Sequence, residues 1–444
     1  MIDIVIGAPD YQALKRATLG DDAEHCAVLT ASQVTRSDGR IRLLVRAVDT
    51  PLPEDYAEQS AGKAELKPDY VARVSKRAKR ESLSLVFVHN HLNPAPPEFS
   101  PIDDHGEFRL AAFLSHRCPG QVHGAIVLSE GGATARRLGT NQGIRVVVVG
   151  DTIEHAYDPN PPRYDLRDRH DRQIRAFGVA GQMALEGLTI AIVGLGGTGS
   201  IVAQQLAHLG VKKFILIDPD VIETTNLNRV VGAVHEDLHQ PKVIVAARFA
   251  KEFCPEADIT PIQGDIIYAR VARKLIDADL IFGCTDSHGS RAILQQVSYQ
   301  YLIPCIDTGT TITTNDRAIS GIFGRVQMLT PGRACFTCGA LLNPEEVRRD
   351  MMTAYERKLD PYIQDGDEPA PSVISINGTV VSLATTMLMA IVMGVPSPAR
   401  HLIYNAMTPS LRSVRIEPKT NCYICSRQGV YAKGDSQALF ARQD

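Results

Sequence analysis

Three groups of residues in this sequence have types and spacings that can do chemistry. His89-Asn90-His91 is followed by Ser100 and Asp103. Two histidines one residue apart at a strand end point the same way and can share a metal ion. A carboxylate a short loop later supplies a third ligand and the fourth position is left for water, the donor set of a catalytic zinc site. Cys335-Phe336-Thr337-Cys338 and Cys422-Tyr423-Ile424-Cys425 form two close pairs. Four thiolates make a closed tetrahedral site, structural zinc by ligand count, which would tie a distant C-terminal segment back to the core. For a redox pair, one such motif would suffice. The third group is a glycine loop, Gly194, Gly196, Gly197 and Gly199, with Asp218 beyond it and Asn226, Arg229 and Lys242 further on. Glycines let backbone approach phosphate, an adjoining helix N-terminus offers free N–H groups, and Asp218 falls where a ribose hydroxyl is held. The asparagine, arginine and lysine past the ribose acid suggest polyphosphate handling.

Elements must position these groups. Residues 190–193 are a short apolar β run ahead of the glycine loop, Ile201, Leu206 and Leu209 mark a helix stopped by Gly210, and residues 214–217 are a second run ending on Asp218. Strand, loop, helix and strand, with an acid about 20 residues after the glycines, is the dinucleotide-fold fingerprint. Residues 280–284 are another apolar strand, ending at Thr285-Asp286. The carboxyl end of a parallel strand is the site end, and a carboxylate there can hold Mg²⁺. Residues 83–88 form an apolar strand running into His89. Residues 26–30 and 41–48 read as a hairpin across Ser37-Asp38-Gly39, 111–114 as part of a helix and 122–128 as a closing strand. Residues 70–80 read as an exposed helix whose basic residues, Arg73, Lys76, Arg77, Lys79 and Arg80, form a solvated face. The stretch DTIEHAYDPNPPRYDLRDRH, residues 151–170, reads as a semi-stiff linker. Residues 373–393 read as a buried helix on the sheet or a dimer-facing element, and 401–406 as a late strand. The tail from 427 reads as polar and mobile.

The glycine loop, Asp218-Pro219-Asp220, Asn226-Leu227-Asn228-Arg229, Gln240-Pro241-Lys242, Cys284-Thr285-Asp286 and the cysteine pairs occur in the order seen in the MoeB/ThiF/HesA superfamily, the ubiquitin-activating (E1-like) adenylyltransferases. Residues 164–425 resemble that superfamily. The resemblance implies a Rossmann-like doubly wound domain that uses ATP and Mg²⁺ to adenylate the C-terminal glycine of a ubiquitin-like protein. It implies Asp286 as the Mg²⁺–ATP carboxylate, Arg229 and Lys242 as neutralisers of charge on the α-phosphate and pyrophosphate, and Asn226 as an orienter of phosphates. Arg172, in His170-Asp171-Arg172-Gln173, matches an entry motif whose arginine contacts ATP phosphate, in homodimeric members from the opposite subunit. In cysteine-type members a crossing loop, here residues 341–371, carries the thioester nucleophile; this one contains no cysteine. The strand, His89, His91, Ser100 and Asp103, with Glu24 upstream, resemble the JAB/MPN (JAMM) metalloproteases, although Leu92-Asn93 precede Pro94 where that family has proline directly. This second resemblance implies an α+β domain with a catalytic zinc on His89, His91 and Asp103, Glu24 as the base for its water and Ser100 holding the oxyanion.

The chain has 444 residues, 44% hydrophobic and 22% charged, enough for two or three domains. A net charge of −3 does not suggest nucleic-acid binding driven by bulk charge. No run of 18 apolar residues marks a membrane span, and the first residues do not read as a signal peptide. Nine cysteines, four of them in pairs, favour metal over disulfides and a reducing, cytoplasmic setting. The expected organisation is an α/β chain with a JAB/MPN-like metallopeptidase domain at 1–150, a linker at 151–170, an adenylation domain at 171–426 and a tail at 427–444. The expected function is bifunctional. A homodimer adenylates a ubiquitin-like modifier ending in glycine, and a zinc (iso)peptidase matures or removes that modifier in a bacterial conjugation pathway, with a conjugating enzyme as a further partner. One alternative is activation of a sulfur-carrier protein for thiamine or molybdopterin-type synthesis, with a sulfurtransferase as partner. A second is a modifier-binding module without chemistry. A nicotinamide oxidoreductase is disfavoured by the cysteine pairs and the Asn226, Arg229 and Lys242 set.

Overall fold

The computed structural model of the chain describes residues 1–161, 168–315, 318–359 and 370–443. Tyr164, residues 162–167 of the expected linker and most of the acidic stretch at 365–371 lie outside them. The chain divides into two compact units. Unit 1 holds Met1–Pro161, Gln300–Leu302 and Val430–Ala438. Its elements are β1 (Ile2–Gly7), α1 (Ala8–Thr18), β2 (Cys26–Thr35), β3 (Ile41–Asp49), β4 (Tyr56–Ser60), β5 (Lys63–Leu66), α2 (Pro68–Glu81), β6 (Ser84–Asn90), α3 (Pro101–Arg117), β7 (Gly124–Ser129), β8 (Gly132–Arg137), β9 (Arg145–Val149) and β10 (Ile153–Tyr157). Eight strands form one mixed sheet in the order β10-β9-β1-β3-β2-β6-β7-β8, and β4 and β5 form a separate hairpin.

A strand covered on both faces buries apolar residues at successive positions, and β2 does so over its first four, Cys26 to Leu29. Ala27, Leu29 and Ala31 point to a core shared with Leu14 of α1, Ile4 and Ile126. Val28 points to the opposite core, with Tyr70 and Val74 of α2 and Leu114 of α3. The sheet therefore lies between α1 and the α2/α3 pair. The expected hairpin across residues 37–39 is the antiparallel β2/β3 pair. The strand expected to close the sheet does not: β7 carries β8 on its outer side. Residues 153–157, read as linker from their composition, are β10, held antiparallel against β9. β9 itself pairs in parallel with β1, so the Val146–Val149 run draws the chain back across the sheet. The segment expected to be a loose tail also belongs here in part. Ala432 is fully buried, and the Tyr431 hydroxyl donates to Asp10 Oδ2 at 2.9 Å.

Unit 2 holds Pro162–Tyr299, Ile303–Gly429 and Leu439–Asp444. Its elements are α4 (Asp171–Gly187), β11 (Thr189–Val193), α5 (Gly199–Leu209), β12 (Lys213–Asp218), α6 (Lys242–Phe253), β13 (Asp258–Gln263), α7 (Ala269–Ala272), β14 (Leu280–Gly283), α8 (His288–Gln300), β15 (Cys305–Asn315), β16 (Ala318–Leu329), α9 (Pro344–Asp350), α10 (Ala354–Leu359), α11 (Ile374–Val392), β17 (His401–Asn405) and β18 (Ser410–Ser413). The sheet order is β13-β12-β11-β14-β15-β16-β17-β18. From β13 to β15 the pairs are parallel, and from β15 to β18 they are antiparallel. The chain runs outward from β11 through β12 to β13, then resumes on the other side at β14. That reversal leaves a crevice at the carboxyl ends of β11 and β14, the place where open α/β sheets bind ligands. α11 is long and apolar enough to cross a membrane by length and composition alone, with half of its most apolar stretch buried. It packs on β15, β16 and α5, as Val380, Ala384 and Leu388, all fully buried, indicate.

Candidate active sites

In unit 1 the candidate residues converge at the end of β6. The histidines at 89 and 91 alternate across Asn90, so both rings leave the same side of the strand. Their Nε2 atoms lie 3.2 Å apart. Asp103, in the first turn of α3, places Oδ1 3.2 Å from His89 Nε2 and Oδ2 3.8 Å from His91 Nε2. Ligands about 2.0–2.1 Å from a tetrahedral zinc would stand roughly 3.3 Å from one another, so the two 3.2 Å spacings match that ion and the 3.8 Å one must close slightly. Burial alone would raise the Asp103 pKa, but the hydrogen bond and charge of His89 and the bonds from Ser100 outweigh it and hold the carboxyl well below its usual range. Burial and the charge of His89 lower the pKa of His91, a shift toward the neutral imidazole that a metal would require. Glu24, on the loop before β2, is half-buried, and burial raises its pKa, with the charge of Asp103 adding to the rise. A carboxyl shifted in that direction suits a general base.

Ser100 has a use that spacing alone did not reveal. It is the N-cap of α3: its Oγ accepts from the Asp103 N–H at 3.3 Å and donates to Asp103 Oδ2 at 2.7 Å. The cap thus orients the carboxylate. Asn90 was also missed as a functional residue, though it stands between the two histidines. It is fully buried, and its side chain is bonded to the loop that carries Glu24.

In unit 2 the glycine loop links β11 to α5. Gly194 has φ +87°, and a Cβ there would stand 2.7 Å from the Cys284 carbonyl oxygen. Only glycine lets the turn after β11 touch the turn after β14. Gly197 has a different reason: a Cβ would meet Asn377 Nδ2 at 2.4 Å and the Arg229 stem at 3.3 Å. Gly196 and Gly199 complete the loop, Gly199 opening α5. Asp218 ends β12 and is 4% exposed. Its Oδ2 accepts from Leu195 N–H at 2.5 Å and its Oδ1 from Asp220 N–H at 2.9 Å. Burial raises its pKa, while the charge of Lys242 and these two bonds pull it back.

Lys242 opens α6 and reaches Asp220 Oδ2 at 2.7 Å. Asn226 is buried and caps its own turn, its Oδ1 accepting from Glu223 N–H at 3.1 Å. Arg229 is anchored through Nη1 to the Thr225 carbonyl oxygen at 2.5 Å. Asp286 is exposed beyond β14, its carbonyl oxygen 3.4 Å from Arg291 Nη1. The neighbouring Thr285 Oγ1 is buried without a hydrogen-bond partner, an orphan polar atom at the mouth of the crevice. The loop glycines, Asp218, Arg229, Lys242 and Asp286 thus lie on the turns following β11, β12 and β14 or in direct contact with them. Arg172 is the exception: it sits exposed in the first turn of α4, and among the described residues no hydrogen bond or ion pair joins it to the others. Asn377 was missed because it comes from α11, remote in sequence, and no local signal marks it. Its Oδ1 accepts from Thr310 Oγ1 at 3.0 Å beside the loop.

The four paired cysteines meet at one point, all sulfurs within 4.8 Å of one another and two cross-pairs at 3.5 Å. Thiolates about 2.3 Å from a tetrahedral zinc stand roughly 3.8 Å apart, so the cluster is of a size to hold the ion. Hydrogen bonds from Cys425 and its neighbours lower the Cys335 thiol, while burial raises Cys338 and the bond to Cys335 raises Cys425, so without an ion the cluster favours one thiolate at its neighbours' expense. The other five cysteines lie outside the cluster, and all five are shifted upward by burial. Burial pushes Cys26 and Cys284 up to about 12 and raises Cys118, Cys254 and Cys305.

The ThiF family profile matches residues 170–424. The chain is 27% identical over 268 residues to the SAMP-activating enzyme E1 of Haloferax volcanii, covering 59% of this chain and 90% of that protein. It is 28% identical over 265 residues to the molybdopterin-synthase adenylyltransferase of Escherichia coli, covering 58% and 96%. It is 27% identical over 262 residues to the sulfur carrier protein ThiS adenylyltransferase of the same organism, covering 58% and 94%.

Proposed function

The chain belongs to the ThiF family, and from that premise we propose that unit 2 uses Mg²⁺–ATP to adenylate the C-terminal carboxylate of a ubiquitin-like or sulfur-carrier protein. Relatives of this chain are named for adenylyl transfer to, or activation of, such proteins. What carries the reading is the way the turn glycines, Asp218, Arg229, Lys242 and Asp286 gather at the carboxyl ends of β11, β12 and β14. Asp218 holds the ribose. Asp286, exposed beyond β14, suits Mg²⁺, which keeps most of its waters. An oxygen of the modifier's terminal carboxylate attacks the α-phosphate, the bond to the β-phosphate breaks, and pyrophosphate leaves. Arg229 and Lys242 neutralise the charge that builds on the way. Arg172, exposed and apart from the rest, is the residue that a second subunit of a homodimer would present.

In the same proposal unit 1 is a JAB/MPN-type hydrolase acting on the peptide or isopeptide bond at that carboxyl end. His89, His91 and Asp103 would hold a zinc ion, which would supply Lewis acidity to the reaction. Glu24 takes the proton from the attacking water and passes it to the leaving amine. A second zinc on the four paired cysteines would be structural. The adenylate has no obvious thiol to pass to: residues 341–371 lack cysteine and the five cysteines outside the cluster are held protonated by burial. This favours release of the adenylate to an external acceptor, as a sulfur-carrier pathway or a separate conjugating enzyme would provide.

The test is pyrophosphate exchange with ATP, Mg²⁺ and a modifier ending in glycine. Exchange is expected to need the modifier and to fall at least about 100-fold in Asp286→Ala. Exchange that survives the substitution unchanged would count against the assignment.

A further inference from the structure

Glu24 is held from both sides, and the buried amide of Asn90 supplies one side. Asn90 Oδ1 accepts from the His25 N–H at 2.6 Å, and Asn90 Nδ2 donates to the Ala23 carbonyl oxygen at 3.4 Å. Its own N–H donates to the His25 carbonyl oxygen at 3.3 Å. The residues flanking Glu24 in sequence are therefore both tied to one side chain, and that side chain is fully buried. The β4 hairpin supplies the other side. Glu24 N–H donates to the Ser60 carbonyl oxygen at 2.9 Å, and Gln59 Nε2 donates to the Glu24 carbonyl oxygen at 3.1 Å. The histidines on either side of Asn90 carry the metal-site geometry, so one tripeptide sets the position of the metal ligands and, through Asn90, of the loop bearing the carboxyl that must face them.

We infer that Asn90 is a positioning residue for Glu24. Its amide fixes the 23–25 backbone against β6 so that the carboxyl stands over the His89, His91 and Asp103 set. This rests on the hydrolase reading of unit 1. An amide fits where other side chains do not, because the site needs an acceptor for one N–H and a donor for one carbonyl within a single buried, uncharged group. A leucine of similar size would bury the same volume and leave both backbone groups unpaired.

The experiment uses the full chain loaded with zinc and a ubiquitin-like protein whose C-terminal glycine carries a fluorogenic amide. Asn90→Leu is expected to bind zinc within about 3-fold of the parent affinity and to keep KM, while kcat falls about 10- to 100-fold, the usual cost of misplacing a reacting group by about 1 Å. In a Glu24→Gln background the same substitution is expected to change nothing further, because the group it positions is already gone. Hydrogen exchange, read without any substrate, is expected to show the His25 amide exchanging at least about 10-fold faster in the variant. Should Asn90→Leu not fold, Asn90→Ser, too short to reach the His25 N–H, is read in the same way. Losses that multiply with Glu24→Gln, loss of zinc, or an unchanged His25 exchange rate each overturn the assignment. A wild-type chain that takes up zinc and cleaves nothing overturns the hydrolase reading and with it any catalytic consequence of Asn90. The exchange arm then decides alone whether Asn90 holds the loop.

Discussion

At the scale of single residues, Lys242 and His123 show how burial converts an ordinary side chain into a specialised one. Lys242 is 9% exposed, yet its partner Asp220 has a side chain 61% exposed to water. An ion pair with so solvated a carboxylate contributes little to stability, on the order of 0–1 kcal/mol. In the proposed reaction the lysine exchanges Asp220 for a polyphosphate, and its contribution is to activity rather than to stability. Lys242→Ala is thus expected to lower pyrophosphate exchange by about 100- to 1,000-fold while moving the unfolding free energy by less than about 1 kcal/mol. A stability loss that accounts for the activity loss would refute this. His123 has no part in either site. The Leu85 N–H donates to its Nδ1 at 3.0 Å, and burial lowers its pKa to about 4. An unfolded histidine titrates near 6.5, so between pH 6.5 and 4 the unfolded chain binds a proton that the folded one refuses. The stability from the neutral ring is complete above pH 6.5 and is lost progressively as pH falls toward 4, by up to about 3 kcal/mol. Denaturant unfolding of unit 1 at pH 7.5 and 5.0 should show this slope, and His123→Gln should flatten it. An unchanged slope in the variant would assign the acid sensitivity elsewhere.

At the scale of elements, α3 joins its own capping to the His89, His91 and Asp103 cluster. Its capping box uses Ser100 and Asp103 reciprocally, so the same carboxylate that closes the helix N-terminus also faces His89. Ser100→Ala should cost about 1 kcal/mol of stability and weaken zinc binding about 10-fold, measured by competition with a chromophoric chelator, and Ser100→Thr should restore most of both. Equal zinc affinity in the alanine variant would remove Ser100 from the site. What was legible in the sequence follows from where each element gets its reason to form. β6 and β11 are buried apolar runs ending on their own chemistry, so strand and site could be read together. The distal half of β15, Thr310 to Asn315, carried no strand pattern because it is polar and largely exposed, and it is strand only because β16 pairs with it. β1 was missed for a related reason. Its six residues pair with β3 and with β9, the latter close to 140 positions away, and no local pattern encodes that partner. The same distance hid Asn377, whereas Asp220 and Asn90 stood inside motifs already singled out and went unassigned because spacing does not report hydrogen bonds.

At the scale of the whole molecule, each unit is completed by a segment remote in sequence. In unit 2 the Cys422–Cys425 turn returns to the Cys335–Cys338 turn, and four thiols this close repel as thiolates unless a cation holds them. If the cluster holds zinc, a strong chelator is expected to free proteolytic sites near residues 335–345 and 418–428 and to lower the unfolding temperature of unit 2, with Cys422→Ser behaving likewise. Full protection in chelator would mean that packing alone holds the cluster. In unit 1 the remote segment is Val430–Ala438, and its fit is close. Gly434 has φ +50°, and a Cβ there would stand 2.6 Å from Val34 Cγ2 and 3.3 Å from Leu44 Cδ1. Gln300 Nε2 donates to the Gly434 carbonyl oxygen at 2.8 Å, and the Tyr301 hydroxyl to Asp435 Oδ1 at 3.0 Å. The segment covers β2 and β3 where Val34 and Leu44 would otherwise meet water. Gly434→Val forces a β-branched residue into a left-handed backbone against two packed side chains, and it should destabilise unit 1 by about 2–4 kcal/mol. Tyr431→Phe, which deprives the buried Asp10 carboxylate of its 2.9 Å donor, should cost about 1–3 kcal/mol. Hydrogen exchange of the β2 and β3 amides in the full chain measures both. If those amides keep parental protection in Gly434→Val, the segment only rests on unit 1, and the sheet is complete without it.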